Sequence, residues 1–447
     1  MELFGTAGIR GDVRERVTPA LALAVGRAAG VDGDEFVVGR DGRETGHALA
    51  AALEAGLESA GAHVVRVGQV PTPALAFASQ GRRGVMVTAS HNPPTDNGLK
   101  LFVDGEEYDQ TAERTIESRV EAADPPTEWH EWGDSEQVDV LTAYREAVVD
   151  YADGHGAALD GLPVAVDCGT GMGAVATPQV LRALGGHVVS LNAQVDGHFP
   201  GRESKPTPES LHDLRAFVRD GEFDLGIGHD GDADRIVIVD GDGEVVHEDT
   251  VVAILAEHFV RVSDVADPVV VTTPNASARI DERVRAAGGR VERVRLGALH
   301  EGIARERENG TEDTQVVFAA EPWKHIHPRH GPWIDGVASA ALLARLVADR
   351  GLDSLREPVT ERPYRKVSVS CPDDRKQAVM TALESSLPDE FPEAAVTTDY
   401  GVRLELSDGS WILVRPSGTE PYVRVYAESD EVDALVDRAT AVAEREI

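Results

Sequence analysis

Short runs of β-branched and apolar residues recur along this chain, each followed by an amphipathic helical stretch, and this alternation limits the fold more than any other feature. In the first third, the pattern predicts strands over 36–38, 63–67 and 84–88. Thr18-Pro19 supplies a cap and a first-turn proline ahead of Leu21, Leu23, Val25 and Ala28, and Gly30 supplies the stop. Thr72-Pro73 repeats the start signal. The pattern begins again at 162–166, with a helix over 178–184 and strands over 188–191, 223–227 and 236–239, and once more at 269–272. From about residue 364 it changes to strands over 366–370, 402–406, 411–414 and 423–427, with helices over 375–385 and 431–444.

The expected fold is therefore three similar mixed-sheet α/β domains followed by a smaller α+β C-terminal domain, arranged around a central cleft. The expected divisions are 1–150, 151–250, 251–360 and 361–447. At 447 residues each domain is long enough to bury its own core.

Composition narrows the partners. Lys plus Arg is 43 against 78 Asp plus Glu, a net charge of -35, which disfavours nucleic acid and anionic membranes. With 42% hydrophobic residues in regular runs, the acid belongs on the surface of packed domains rather than in a disordered chain. Lys100, Lys205, Lys324, Lys366 and Lys376 are the only five lysines, and an acid-rich, lysine-poor surface points to a halophilic, high-salt cytoplasm. Cys168 and Cys371 alone exclude a disulfide framework. Met1 runs straight into a glycine-rich motif with no basic-then-apolar leader, so a cytoplasmic location is expected.

Three motifs carry chemistry. The strand at 84–88 runs into Thr88-Ala89-Ser90-His91-Asn92-Pro93, with Lys100 downstream, and a serine displayed at a strand end can accept a phosphoryl group. A serine in an Asn-Pro turn is the plainer alternative. Asp230-Gly231-Asp232-Ala233-Asp234-Arg235 puts three carboxylates at alternate positions, a donor set for one hard cation, although acidic turns are common in so acidic a chain. It is not an EF-hand loop, since Gly241 stands at the twelfth position counted from Asp230. Arg415-Pro416-Ser417-Gly418-Thr419-Glu420-Pro421 joins an arginine fork, two hydroxyls and a glycine turn into a nest for a phosphate monoester. Together they point to phosphoryl transfer on a phosphorylated small molecule.

These residues resemble the alpha-D-phosphohexomutases (phosphoglucomutase, phosphomannomutase and phosphoglucosamine mutase) over essentially the whole chain. Phe4-Gly5-Thr6-Ala7-Gly8-Ile9-Arg10-Gly11 is similar to the family's N-terminal signature, and the three motifs follow in the family's order. The resemblance implies an isomerase that moves a phosphoryl group between the 1 and 6 positions of a hexose phosphate, through phosphoserine at Ser90 and a bisphosphate intermediate. By the same resemblance, one Mg2+ sits on Ser90, Asp230, Asp232 and Asp234, and a hexose bisphosphate is the activator. Arg235 would pair with the metal carboxylates or the transferring phosphate, Arg10 and Lys100 would act near the phosphoserine, and Arg415, Ser417, Gly418 and Thr419 would hold the other phosphate.

The sugar loop departs from the family. Its usual Gly-Glu-x-Ser-Gly-His reads here as Ala320-Glu321-Pro322-Trp323-Lys324-His325. Glu321 keeps its place as a receiver of sugar hydroxyls, and His325 is a candidate for proton transfer or for orienting the loop. Trp323 either stacks on the hexose or packs under the loop, and Lys324 is a possible phosphate contact in place of the weakened pattern at Arg295 to His300.

Thr88-Ala89-Ser90 favours glucose or mannose phosphates, with phosphoglucosamine mutase as the alternative. A sugar-phosphate phosphatase and a non-catalytic sugar-phosphate binder are rivals of another class. The protein is expected as a monomer or homodimer.

The charge has a direct consequence: self-repulsion is muted when the Debye length shrinks to about 3 Å at molar salt. Dialysis from molar KCl into dilute buffer is expected to abolish the far-ultraviolet circular dichroism of the folded chain. An unchanged spectrum contradicts the high-salt reading.

Overall fold

The computed structural model describes residues 3–5, 8–417 and 420–447. The chain forms two compact units, Met1–Glu248 with Trp323–Leu355, and Asp249–Pro322 with Arg356–Ile447.

In the first unit one mixed sheet has the spatial order Ile9–Asp12, Asp96–Val103, Arg83–Val87, Glu35–Arg40, His63–Gln69, Ser135–Gln137. Glu35–Arg40 pairs parallel with both its neighbours, whereas Asp96–Val103 is antiparallel to all three of its own, the third being the short Glu106–Glu107. The central strands carry unbroken apolar runs because helices cover them; Val37, Val64, Val85, Met86 and Val87 are all buried. The helix Pro19–Gly30 begins where Thr18 accepts the Leu21 N–H at 3.2 Å. It crosses Gly46–Ser59 so closely that a Cβ on Gly26 would collide with the Leu53 carbonyl, and one on Gly56 with that of Leu23.

The second sheet of this unit runs Val245–Val246, Ile236–Val239, Leu225–His229, Pro163–Asp167, His187–Leu191. The strand expected over 223–227 lies two residues later. Phe223 packs instead on Phe217, with ring centroids 4.9 Å apart and planes tilted by 35°, and the strand ends at His229, directly before Asp230. The helix Gly336–Arg350 belongs to this unit as well, capped by Asp335, which accepts the Ala338 N–H at 2.8 Å.

In the second unit, Arg290–Arg293 and Thr314–Glu321 flank Asp267–Thr272 in parallel. A separate antiparallel sheet runs Tyr364–Ser370, Tyr422–Glu428, Trp411–Pro416, Val402–Glu405, Ala395–Thr397. Its core joins Val414 and Val425 to Leu383 and Val436 of two covering helices, Lys376–Glu390 and Val432–Glu446. The first of these runs past the expected 375–385 with Pro388 in its last turn; the proline forgoes one helical hydrogen bond there, while Leu387 and Phe391 on either side of it pack into the same core. Buried Arg279 pairs with Glu428 at 2.8 Å, and Glu428 also takes the Trp411 ring N–H at 2.8 Å, so the α/β and α+β parts of this unit share one buried charge pair.

Three α/β domains and a smaller α+β domain are thus present, as the alternation implies. Among the described residues no helix is long and apolar enough to cross a membrane.

The glycine contact reverses the usual propensity rule. Alanine is favoured over glycine inside a helix by roughly 1 kcal/mol, yet Gly56→Ala is expected to destabilise by about 1–3 kcal/mol because the crossing cannot widen freely. Urea denaturation checks this; a stabilised variant contradicts the packing.

Candidate active site

The carboxyl ends of two strands in the first unit bring the site together. Arg83–Val87 ends in Thr88, which accepts the Ser90 N–H at 2.9 Å and donates to Asp41 at 2.7 Å. Buried Arg43, paired with Asp41 at 3.1 Å, donates to the carbonyls of Ser90, Asn92, Pro93 and Asp96 at 2.5–2.9 Å. Four carbonyls on one guanidinium fix the loop's path, and they hold Ser90 at φ 50°, a conformation a non-glycine residue keeps only when its surroundings impose it.

Leu225–His229 ends in the acidic loop. Asp230, Asp232 and Asp234 are buried, with one oxygen from each lying within 4.8 Å of the others. Gly231 lets this loop abut the serine loop: a Cβ there would sit 2.6 Å from the Ser90 carbonyl oxygen. Across that contact Ser90 Oγ donates to Asp230 at 2.7 Å, and His91 Nδ1 lies 3.2 Å from the same hydroxyl. The Thr72 hydroxyl donates to Asp232 at 2.6 Å.

Three buried carboxylates need compensating charge. Lys100, 1% exposed, supplies it from the strand Asp96–Val103, 2.8 Å from Asp234, 3.6 Å from Asp232 and 3.8 Å from Glu107. Burial alone would lower the Lys100 pKa, but these carboxylates outweigh it and raise it. Burial would likewise raise Asp234, but Lys100, Lys324 and Arg235 hold it well below the usual carboxylate range. Asp230 is pushed well above that range by burial and by Asp234 and Asp232.

Even so, Asp232 Oδ1 and Asp234 Oδ1 accept no hydrogen bond from the described residues. Two orphaned buried oxygens beside a raised carboxyl are the donor set a hard divalent cation completes, so the residues fit Mg2+.

Cationic groups gather on the serine side. The Arg235 Nε lies 3.7 Å from Asp230 and from Asp234, and its main chain bridges to Lys324. Arg10, opposite Gly98, has Nε and Nη2 buried without a hydrogen-bond partner. Burial, with Arg235 and Arg10, pushes the His91 imidazole down to about 2, so it stays neutral. His325 is buried, its pKa lowered by that burial to about 3.

Trp323, at φ 70°, is partly buried and packs against the apolar cluster that includes Leu211, Leu214 and Val237. Its carbonyl accepts the Ile236 N–H at 3.2 Å.

Within the second unit, Glu321 accepts the Gly297 N–H. Arg415 donates to the Tyr426 hydroxyl at 2.8 Å, with its guanidinium carbon 5.3 Å from that ring's centroid. Ser417 is buried, and its N–H bonds the Tyr422 carbonyl at 2.9 Å. Lys376 ties the loop's two ends, donating to the carbonyls of Ser417 at 2.7 Å and Glu420 at 2.5 Å. Gly418 and Thr419 of the expected phosphate nest, like Thr6 and Ala7 of the N-terminal signature, lie outside the described residues.

Comparison with known proteins gives the same four parts. Phosphoglucomutase/phosphomannomutase alpha/beta/alpha domains I, II and III match residues 1–127, 142–243 and 247–365, and that family's C-terminal domain matches 369–445. The chain belongs to the phosphoglucomutase/phosphomannomutase family. It is an isomerase of the phosphohexomutase kind, an intramolecular phosphotransferase.

Two relatives are each 43% identical over 96% of this chain and 94% of their own: a phosphopentomutase of Thermococcus kodakarensis and a probable phosphoglucosamine mutase of Methanopyrus kandleri. A phosphoglucomutase/phosphomannomutase family protein of Burkholderia thailandensis has a similar solved structure, with TM-score 0.86 at 28% identity over 99% of this chain and 96% of that one.

Sequence reasoning missed Thr72, Asp41, Arg43 and Lys376. Thr72 reads as a helix start, yet the helix Thr72–Ala78 follows Pro71 and the hydroxyl goes to Asp232. Asp41-Gly42-Arg43 stands immediately after a strand, the same placement that singles out Ser90, and that signal was available.

The buried histidines fix a pH dependence. An unfolded imidazole takes its proton near 6.5, whereas folded His229 does so only near 4 and His325 near 3. The stability they contribute is therefore complete above pH 6.5 and drains as pH falls towards 4, by about 2 kcal/mol per histidine at pH 5. Denaturant titrations at pH 7 and pH 5 are expected to show this loss and to show less of it in His325→Gln. An equal slope in that variant contradicts it.

Proposed function

We propose that this family member is a Mg2+-dependent phosphosugar mutase that carries its phosphoryl group on Ser90. The observation that carries the reading is the Ser90 hydroxyl 2.7 Å from Asp230, in a buried carboxylate set with two unbonded oxygens. Asp230, Asp232 and Asp234, with the serine oxygen, would hold Mg2+; when bound, it supplies positive charge against the oxygens of the transferring group.

The chain's own residues do the rest. The Arg43 brace presents phosphoserine 90 in one orientation, which lowers the entropic part of the barrier. A sugar hydroxyl attacks the phosphorus, its proton passes to His325, and the bond to Ser90 Oγ breaks with the electron pair staying on that oxygen, which is the nucleophile of the return transfer. The resulting bisphosphate reorients, and Ser90 Oγ accepts its other phosphoryl group, leaving the isomeric monophosphate. Arg10, Lys324 and Arg235 neutralise phosphate oxygens on the serine side, and Lys100 holds the carboxylates ionised. Arg415, Ser417, Gly418 and Thr419 bind the non-reacting phosphate, and Glu321 accepts sugar hydroxyls. A sugar bisphosphate primes the serine.

For the sugar we favour a hexosamine 1-phosphate/6-phosphate pair over glucose or mannose, because the Methanopyrus kandleri relative is named a probable phosphoglucosamine mutase. A pentose phosphate is the second reading, favoured by the equally similar Thermococcus kodakarensis phosphopentomutase. A high-salt, reducing cytoplasm is the setting supported by the acid-rich composition and the unpaired, buried Cys168 and Cys371.

Phosphorus NMR in molar KCl with Mg2+ and a trace of bisphosphate tests both levels, offering the 1-phosphates of glucosamine, glucose, mannose and ribose in turn. One 6-phosphate product, or the 5-phosphate from ribose, names the sugar. Ser90→Ala is expected to give none, and Asp232→Asn a rate on the order of 10²-fold lower or less. Turnover in Ser90→Ala, or near-normal rates in Asp232→Asn, overturns the mechanism.

A further inference from the structure

In the first unit two histidine rings meet one hydroxyl. Ser339 is buried on the helix Gly336–Arg350. Its Oγ lies 2.8 Å from the Asp335 carbonyl oxygen, 3.1 Å from His325 Nδ1 and 2.7 Å from His327 Nε2. A serine hydroxyl has one proton and two lone pairs, while a carbonyl oxygen can only accept. The proton must go to the Asp335 carbonyl; sent to either ring, it would leave two oxygens 2.8 Å apart with no hydrogen between them. Both rings must then donate to Ser339.

The tautomers follow. His325 carries its proton on Nδ1 and its lone pair on Nε2. His327 carries its proton on Nε2, and its Nδ1 lone pair faces the Tyr151 hydroxyl at 3.3 Å, a group able to donate. Every member of the chain from Tyr151 to Asp335 has a complementary role, which is what makes a buried polar network specific.

The frame around it is rigid. The Asp335 carboxylate takes the Ala338 N–H at 2.8 Å, the Tyr144 hydroxyl at 2.9 Å and the Trp333 ring N–H at 3.0 Å. The Asp335 N–H in turn donates to the His325 carbonyl at 2.9 Å, so the backbone and the ring of His325 are both referenced to the same helix start.

We propose that Ser339 is a positioning residue for phosphoryl transfer, holding His325 in the Nδ1–H tautomer so that Nε2 is the atom that takes the proton of the attacking sugar hydroxyl. This rests on the reading of His325 as the proton acceptor. In the forward half-reaction the hydroxyl proton moves to Nε2, where the negative phosphates of the bound sugar offset the burial that keeps this imidazole neutral in the free protein, while Nδ1–H stays on Ser339; in the return half-reaction Nε2 gives the proton back. The Nε2–H tautomer has no lone pair on that atom and cannot begin the cycle.

The test is nitrogen-15 NMR of the full-length protein labelled at histidine, in molar KCl, with His325→Gln and His327→Gln to assign the two rings. Bare and protonated ring nitrogens have well-separated shifts. The wild type is expected to show His325 protonated on Nδ1 and His327 on Nε2. In Ser339→Ala, His325 is expected to move towards the Nε2–H form, with kcat about tenfold lower or more and KM little changed. Ser339→Thr, which keeps the hydroxyl, is expected to restore both.

A wild-type His325 protonated on Nε2, or a tautomer unchanged in Ser339→Ala, overturns the assignment to Ser339. Because the spectra need no substrate, the mutase reading fails separately: the expected tautomers with wild-type turnover in His325→Gln overturn the proton-transfer role itself.

Discussion

Lys100 against Asp234 and Asp232 is the contact on which the rest of the first unit's chemistry depends. Three carboxylates on alternate residues cannot be buried together unless positive charge is buried with them, and one ammonium does not balance three carboxylates. Thr72 and the Ser90 hydroxyl spread part of the remaining charge by hydrogen bonding, and Arg235 and Lys324 supply more from the loop's far end. What is left over, on Asp232 Oδ1 and Asp234 Oδ1, is the capacity for a cation. A residue that neutralised the cluster completely would also have removed its use.

The serine loop shows the complementary strategy. Ser90 is held in a left-handed conformation by contacts that involve no substrate: one guanidinium on four carbonyls, itself held by Asp41 and lying 5.0 Å from the Phe199 ring centroid. The cost of ordering the loop is met on folding, so the hydroxyl is in place before any sugar arrives. The same logic extends to His325, whose ring and backbone are both fixed to the start of one helix, and to the second unit, where Lys376 holds the carbonyls of Ser417 and Glu420.

Much of this was legible in the sequence. The strand-then-helix alternation gave three α/β domains and an α+β tail, since continuous apolar strands bounded by proline and glycine have few other uses. Ser90, Lys100 and the aspartate triad stood out because their residue types and spacing have a chemical meaning of their own. Arg43 and Ser339 did not, because a brace is recognised by what it touches: Arg43 meets residues 47 to 53 positions away, and Ser339 joins two histidines through a proton count that only distances reveal. Thr72 correctly marked a helix start, but its contact with Asp232 spans 160 positions and leaves no local signal. Trp323 packs against a cluster whose residues lie far earlier in the chain, a neighbourhood no local signal shows.

The central claim is that Ser90 itself carries the phosphoryl group. Its most direct measurement is peptide mass spectrometry of the wild-type protein after brief exposure to a hexosamine bisphosphate with Mg2+ in molar KCl. The account predicts a single phosphate, located on Ser90. An unmodified Ser90, or a phosphate on any other residue, would contradict it.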